Sequence, residues 1–174
     1  DIAQKFNNDY KIENFFIVPE PLIKKEFSRI MSLKDGLKKM SKSEISDLSR
    51  INLTDDKDQI INKIKKAKTD TLPLPSTIDE LEKRPEAKNL IGIYSSLMNN
   101  TFQKTIDEFA GKNFSEFKEK LSDIVVNEIS PISLRIKELL NDKVFLEKIL
   151  KEGYEKANEI ASKKIKKIHE IVGF

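Results

Sequence analysis

The chain has 174 residues, 38% hydrophobic and 35% charged, with Lys plus Arg at 32 against Asp plus Glu at 29 for a net charge of +3. That balance supports a packed core and argues against global disorder, and five Gly with six Pro rule out a collagen-like chain or a Pro-rich linker protein. The absence of Cys excludes disulfides, thiolate metal sites and a cysteine nucleophile, and a single His, His169, excludes a multi-His metal centre. No apolar run approaches the ~20 residues that a membrane-spanning helix needs, so no membrane partner is expected.

In chain order, Ile2, Phe6 and Tyr10 recur at helical spacing and predict the tail of a helix over residues 1–10. Residues 14–23 hold two prolines and a short apolar run, and read as an irregular or strand-like connector. Residues 27–33 read as a short strand, and the polar, Gly-containing stretch 34–43 as a loop. Asp55 or Asp56 can cap a helix running to about Lys68, with Ile60, Ile61, Ile64 and Ala67 on one face. Residues 69–85, with Pro73, Pro75 and Pro85, form a connection.

A helix follows over 86–98, with Leu90, Ile91, Tyr94, Leu97 and Met98 as its apolar set. Thr101 caps the next helix, and Gly111 suits its left-handed stop. Asn113 and Glu116 fit the start of another helix, which carries Phe117, Leu121, Ile124, Val125 and Ile129. Pro131 starts or kinks a further helix through Leu140. Residues 143–172 form one or two long helices with Phe145, Ile149, Tyr154, Ile160 and Ile165 among the apolar positions.

Charge is concentrated. Between Lys24 and Lys68 lie 13 basic and 7 acidic residues, a local +6, against −3 for the remainder. A basic segment suggests an anionic partner, or a solvated Lys-rich surface. Within it stands Lys39-Met40-Ser41-Lys42-Ser43. Two lysines three apart in a polar loop can reach one phosphate from two sides, and Ser41 and Ser43 add hydroxyl donors without bulk. As a nucleophile attacks the α-phosphorus of ATP, the leaving pyrophosphate gains negative charge. Two mobile ammonium groups beside it stabilise the transition state more than the ground state.

That pentapeptide resembles the second signature of class I aminoacyl-tRNA synthetases. Asp1-Ile-Ala-Gln-Lys-Phe-Asn, Pro19-Glu20 with Arg29-Ile30-Met31-Ser32-Leu33, and Asp55-Asp56 with Ile64-Lys65-Lys66-Ala67-Lys68-Thr69-Asp70 resemble the tryptophanyl-tRNA synthetases. So do Asn89-Leu90-Ile91-Gly92-Ile93-Tyr94 and Tyr154-Glu155-Lys156-Ala157-Asn158. The resemblance runs in family order over essentially the whole chain and points to the bacterial or organellar type.

The resemblance implies a mainly α fold: the end of a Rossmann-type catalytic domain over 1–52, then an antiparallel helical bundle over 53–174 that serves as the anticodon-binding-like domain. It implies Lys39 and Lys42 as catalytic lysines, an ATP site of Ile30, Lys39, Met40, Ser41, Lys42 and Ser43, and Mg²⁺ accompanying ATP. It implies L-tryptophan and the cognate tRNA as partners, a homodimeric parent, and a location in the cytoplasm or an organellar matrix. Glu44 stands where the family usually carries Asp, which keeps the charge. The family's first ATP signature and its tryptophan-binding residues have no counterpart after Asp1. The chain is therefore expected to be the C-terminal half of the enzyme and inactive alone. The alternative is a non-catalytic tRNA- or RNA-binding helical module keeping a vestigial lysine loop.

Further lysines could meet tRNA phosphates: Lys57, Lys63, Lys65, Lys66 and Lys68 on one helix, and Lys163, Lys164, Lys166 and Lys167 on the last. Each set can equally be a solvated helix face. Phe102 and Phe117 sit at core spacing rather than as stacking platforms. Asp55-Asp56 reads as helix N-terminal charge, with no metal site expected.

Overall fold

The computed structural model describes residues 1–22 and 28–173. The structure is mainly helical: α1 (Ile2–Asp9), β1 (Met31–Ser32), β2 (Asp35–Lys39), a 3₁₀ turn (Asp47–Ser49), α2 (Lys57–Lys65), α3 (Ile78–Glu82), α4 (Pro85–Leu97), α5 (Phe102–Phe109), α6 (Phe114–Asn141) and α7 (Lys143–Val172). The described residues fall into two compact units, 28–141 and 1–22 with 142–173.

The unit of residues 28–141 holds the core. Its apolar side chains come from the periodicity of α2, α4, α5 and α6: Ile60 and Ile64, Leu90 and Ile91, Ile106 and Phe109, Phe117, Leu121 and Val125 are all buried. Burying each contributes about 1.5–3 kcal/mol. Tyr94, Phe109 and Phe117 meet as an aromatic trio with centroids 4.9–5.6 Å apart, Phe109 edge-on to the other two. Tyr94 donates its hydroxyl to Glu108 at 3.0 Å.

Helix boundaries follow local chemistry. Asp56 caps α2 in a full capping box with Gln59. Thr77 and Thr101 cap α3 and α5 through their hydroxyls, and Pro85 opens α4 at a position where its missing N–H costs nothing. Gly111 takes φ +71°, the left-handed conformation anticipated after α5. α6 runs on through Pro131 without a break.

Four expectations change, the first being that Pro131 starts no further helix but lies inside the continuous α6. The stretch 34–43 is not all loop: residues 35–39 form β2, antiparallel to β1 with Met31 opposite Lys39. A tight hairpin closes there around the buried Leu33, whose N–H donates to the Ser49 carbonyl and whose carbonyl accepts from the Lys68 N–H. Phe27, placed at the start of the predicted strand, and Ile23, at the end of the connector, lie outside the described residues. Within the connection 69–85, Thr77 nucleates the short helix α3, which buries Leu81. The apolar positions of α7 are not core: Phe145, Ile149, Tyr154, Ile160 and Ile165 all remain well exposed, and the helix buries no residue.

In the unit of residues 1–22 and 142–173, Phe6 packs against Tyr10, Phe15 and Phe16 with centroids 4.7–5.5 Å apart. Asn7 brackets Phe16 by accepting its N–H at 2.9 Å and donating to its carbonyl at 2.8 Å. Residues 12–22 carry no regular element, in line with their prolines.

Candidate functional site: the lysine loop

The lysine loop leaves β2 at Lys39 and is built between two fixed ends. At its entry the Met40 N–H donates to the Ile30 carbonyl at 3.0 Å. This brings together Ile30, half-exposed beside β1, and the pentapeptide, residues that the sequence reading had grouped across nine positions. Met40 turns inward and packs against the core. Ser41 and Ser43 then curl the chain: their hydroxyls share a hydrogen bond at 2.9 Å, and the Ser43 N–H donates to Ser41 Oγ at 3.3 Å.

Lys39, Lys42 and both serines are exposed. Among the described residues, neither Lys39 nor Lys42 forms an ion pair, although Lys38 lies 3.7 Å from Asp35, and Lys63 and Lys68 are also paired. Two ammonium groups and two small hydroxyls around one turn suit a multiply charged phosphate, because among the described residues no ion pair must be broken to engage it.

The hairpin beneath the loop is held by residues to which no such role was assigned from sequence. Asn89, buried on α4, accepts the Met31 N–H at 2.9 Å and donates to the Met31 carbonyl at 2.8 Å. Gly36 sits so close to the start of α4 that a Cβ would lie 2.6 Å from Pro85 C and Glu86 N. Its lack of a side chain is what lets β2 lie on the helix. Lys68 then pairs with Glu86 at 2.8 Å, and this contact holds the Glu86 carboxyl below its usual range.

At the loop's exit stands a polar network. Lys63, 3% exposed, pairs with Asp55 and Asp47, each at 2.6 Å. The Lys63 ammonium, and then the Asn52 amide, hold the Asp47 carboxyl below the ordinary carboxylate range. Lys63 is thus an internal counter-ion and is withdrawn from the basic face proposed for α2. Lys57, Lys65, Lys66 and Lys68 stay exposed. The buried i, i+3, i+4, i+7 stripe of Ile60, Lys63 and Ile64 on α2, continued by Ala67 just past its end, was the available signal for Lys63.

Of the lysines on α7, Lys163 pairs with Glu159 at 2.9 Å on the exposed surface. Lys164 donates to the Phe15 carbonyl, with its ammonium 3.8 Å from the centroid of the Phe15 ring and 5.1 Å from that of Phe16. Lys166 and Lys167 are exposed. Among the described residues, no group of three His, Cys, Asp or Glu side chains is arranged to hold a metal ion. No helix there is long and apolar enough to cross a membrane.

The pattern of the family described as tRNA synthetases class I (W and Y) matches residues 1–129. The tryptophan–tRNA ligase of Caulobacter vibrioides is 48% identical over 174 residues, spanning all of this chain and 51% of that protein. That of Rickettsia felis is 49% identical over 174 residues, spanning all of this chain and 52% of that protein. The chain thus spans about half the length of the curated relatives it matches.

Among solved structures, tryptophanyl-tRNA synthetase from Mycoplasma pneumoniae superposes with a TM-score of 0.81 at 24% identity, covering all of this chain and 51% of that one. The enzyme from Campylobacter jejuni, complexed with ADP and tryptophan, gives 0.65 at 26% identity, covering all of this chain and 52% of that one.

Proposed function

The chain belongs to the class I tRNA synthetases of the tryptophan and tyrosine type, and on that footing we propose that it supplies the lysine-loop half of a tryptophan–tRNA ligase. The observation that carries the reading is the pair of exposed lysines, Lys39 and Lys42, without an ion pair among the described residues and set around a serine turn whose entry is fixed to Ile30. The relatives named as tryptophan–tRNA ligases support the choice of amino acid.

In the proposed reaction the tryptophan carboxylate attacks the α-phosphorus of ATP. The bond to the bridging oxygen breaks, and pyrophosphate leaves with the charge. Lys39 and Lys42 neutralise that charge as it develops, worth roughly 10²–10³-fold in rate for one well-placed donor. Ser41 and Ser43 shape the phosphate cradle, the Met40 backbone anchors it, and Ile30 borders the adenine side. Mg²⁺ accompanying ATP would add positive charge beside the phosphates, and Lys39 and Lys42 supply the protein's own share of that charge. The adenylate then passes its acyl group to a terminal ribose hydroxyl of the cognate tRNA, and AMP leaves.

On this reading residues 1–52 end a Rossmann-type catalytic domain and 53–174 form the helical domain that meets tRNA. Lys163, Lys164, Lys166 and Lys167 lie toward its phosphates, and the Lys164 ammonium is shared with Phe15. The intact enzyme is a homodimer of the cytoplasm or an organellar matrix. The 174-residue chain by itself gives no exchange.

The test is ATP–pyrophosphate exchange by the full-length protein containing this chain. Exchange that requires tryptophan and is not supported by tyrosine sustains the proposal. Tight tRNA binding without exchange favours a non-catalytic RNA-binding module, and exchange by the 174-residue chain at enzyme-like rates removes the claim of inactivity.

A further inference from the structure

We propose that Arg50 is a positioning residue for the lysine loop, tying the loop's exit to a lysine buried on α2; the inference rests on the reading of that loop as the phosphate-binding element. The Arg50 guanidinium spends every nitrogen. Nη1 donates to the Glu44 carbonyl at 2.8 Å, the first residue past the pentapeptide. Nε donates to Asn52 Oδ1 at 3.2 Å, and Nη2 lies 3.1 Å from Asp47 Oδ1. With its side chain 17% exposed, Arg50 is not a free surface cation waiting for an anion.

Its partners are themselves held. Asp47 is bound by Lys63, which also holds Asp55. Asn52 bridges the two carboxylates, its Nδ2 at 3.0 Å from Asp47 Oδ1 and 3.2 Å from Asp55 Oδ1, while its own N–H donates to Asp55 Oδ2 at 2.8 Å. Strain or displacement at Glu44 is therefore resisted by a chain of charge-assisted bonds that ends at a 3%-exposed ammonium on α2. The entry of the loop is fixed separately, by the bond from Met40 to Ile30.

A loop pinned at both ends presents Lys42 from a narrow set of positions. Less conformational entropy is then lost when Lys42 meets the departing pyrophosphate. The role needs an arginine: a lysine at this position has one nitrogen and cannot hold Asp47, Asn52 and the Glu44 carbonyl together.

The experiment uses the full-length protein with Arg50→Ala, Arg50→Lys and Asp47→Asn. Three quantities are read: the rate of tryptic cleavage after Lys42, the exchange kinetics, and the thermal midpoint. In Arg50→Ala, cleavage after Lys42 is expected to rise several-fold relative to cleavage at the distant Lys163. The kcat for exchange is expected to fall roughly tenfold to a hundredfold, with KM for tryptophan within about twofold of the parent. Arg50→Lys is expected to behave like Arg50→Ala, and Asp47→Asn to fall between.

Unchanged cleavage after Lys42, or equal acceleration at Lys42 and Lys163, overturns the proposal. So does faster cleavage with kcat unchanged, or full rescue by Arg50→Lys. If the parent protein shows no tryptophan-dependent exchange, the functional reading fails, while the cleavage ratio still decides whether Arg50 holds the loop.

Discussion

Asn89 completes the outer edge of β1 by pairing with Met31 twice: its carboxamide oxygen accepts the Met31 N–H at 2.9 Å and its nitrogen donates to the Met31 carbonyl at 2.8 Å. A helix side chain here does the work of a neighbouring strand. Replacing it with Leu keeps the volume but leaves both Met31 groups without partners. Asn89→Leu should lower the unfolding free energy by about 1–3 kcal/mol. Urea denaturation measures this, and an unchanged midpoint would show that water replaces the carboxamide without loss.

Lys42 is exposed and forms no ion pair among the described residues, so its removal breaks no salt bridge there. In the full-length protein Lys42→Ala should leave the thermal midpoint and tryptophan binding nearly unchanged while kcat for activation falls about a hundredfold or more. Pre-steady-state measurement of adenylate formation separates the two. An equal loss in tryptophan affinity would identify a structural role instead.

Burial, reinforced by Glu108, pushes the Tyr94 phenol up to about 12 from its ordinary 10. The folded state holds the proton more tightly than the unfolded chain does. Its contribution to stability is therefore complete below pH 10 and is lost as pH rises through about 12. Tyr94→Phe should show a smaller loss of stability between pH 10 and 12 than the parent chain, while giving up about 1 kcal/mol near neutrality from the lost bond. Denaturant titrations at the two ends of that window decide it; parallel pH profiles for parent and variant would refute the assignment.

Lys164 clasps the loop after α1 through the Phe15 carbonyl and the rings of Phe15 and Phe16. Lys164→Ala should speed amide hydrogen exchange in α1 several-fold, whereas Lys167→Ala should leave α1 unaffected. For salt-dependent tRNA binding the order reverses: Lys167→Ala should reduce the salt slope by about one unit, more than Lys164→Ala does. Equal effects of both variants on α1 would show that Lys164 is another solvated lysine.

Much of this was legible because it rests on local chemistry. The caps at Asp56 and Thr101, the left-handed Gly111 and the lysine pentapeptide depend on neighbours in sequence, and a single chain displays them. What escaped depends on distant neighbours. A stretch of Lys, Asp and Gly has little strand propensity, and it becomes β2 because Gly36 fits against Pro85 and β1 lies alongside. Lys63 reads as one more surface lysine until Asp47 and Asp55 converge on it. The apolar stripe of α7 has core spacing, but spacing cannot say whether a partner surface is present to cover it.

The two backbone anchors of the lysine loop have a mechanical consequence. Lys39 lies before the first, inside the strand ladder, and Lys42 lies between the first at Met40 and the second at Glu44. Four residue steps separate those anchors, so the tether between them reaches at most about 14 Å when drawn straight. One ammonium is thus mounted on a stationary post and the other rides a short leash. A phosphate group that meets both would find one charge waiting and the other arriving.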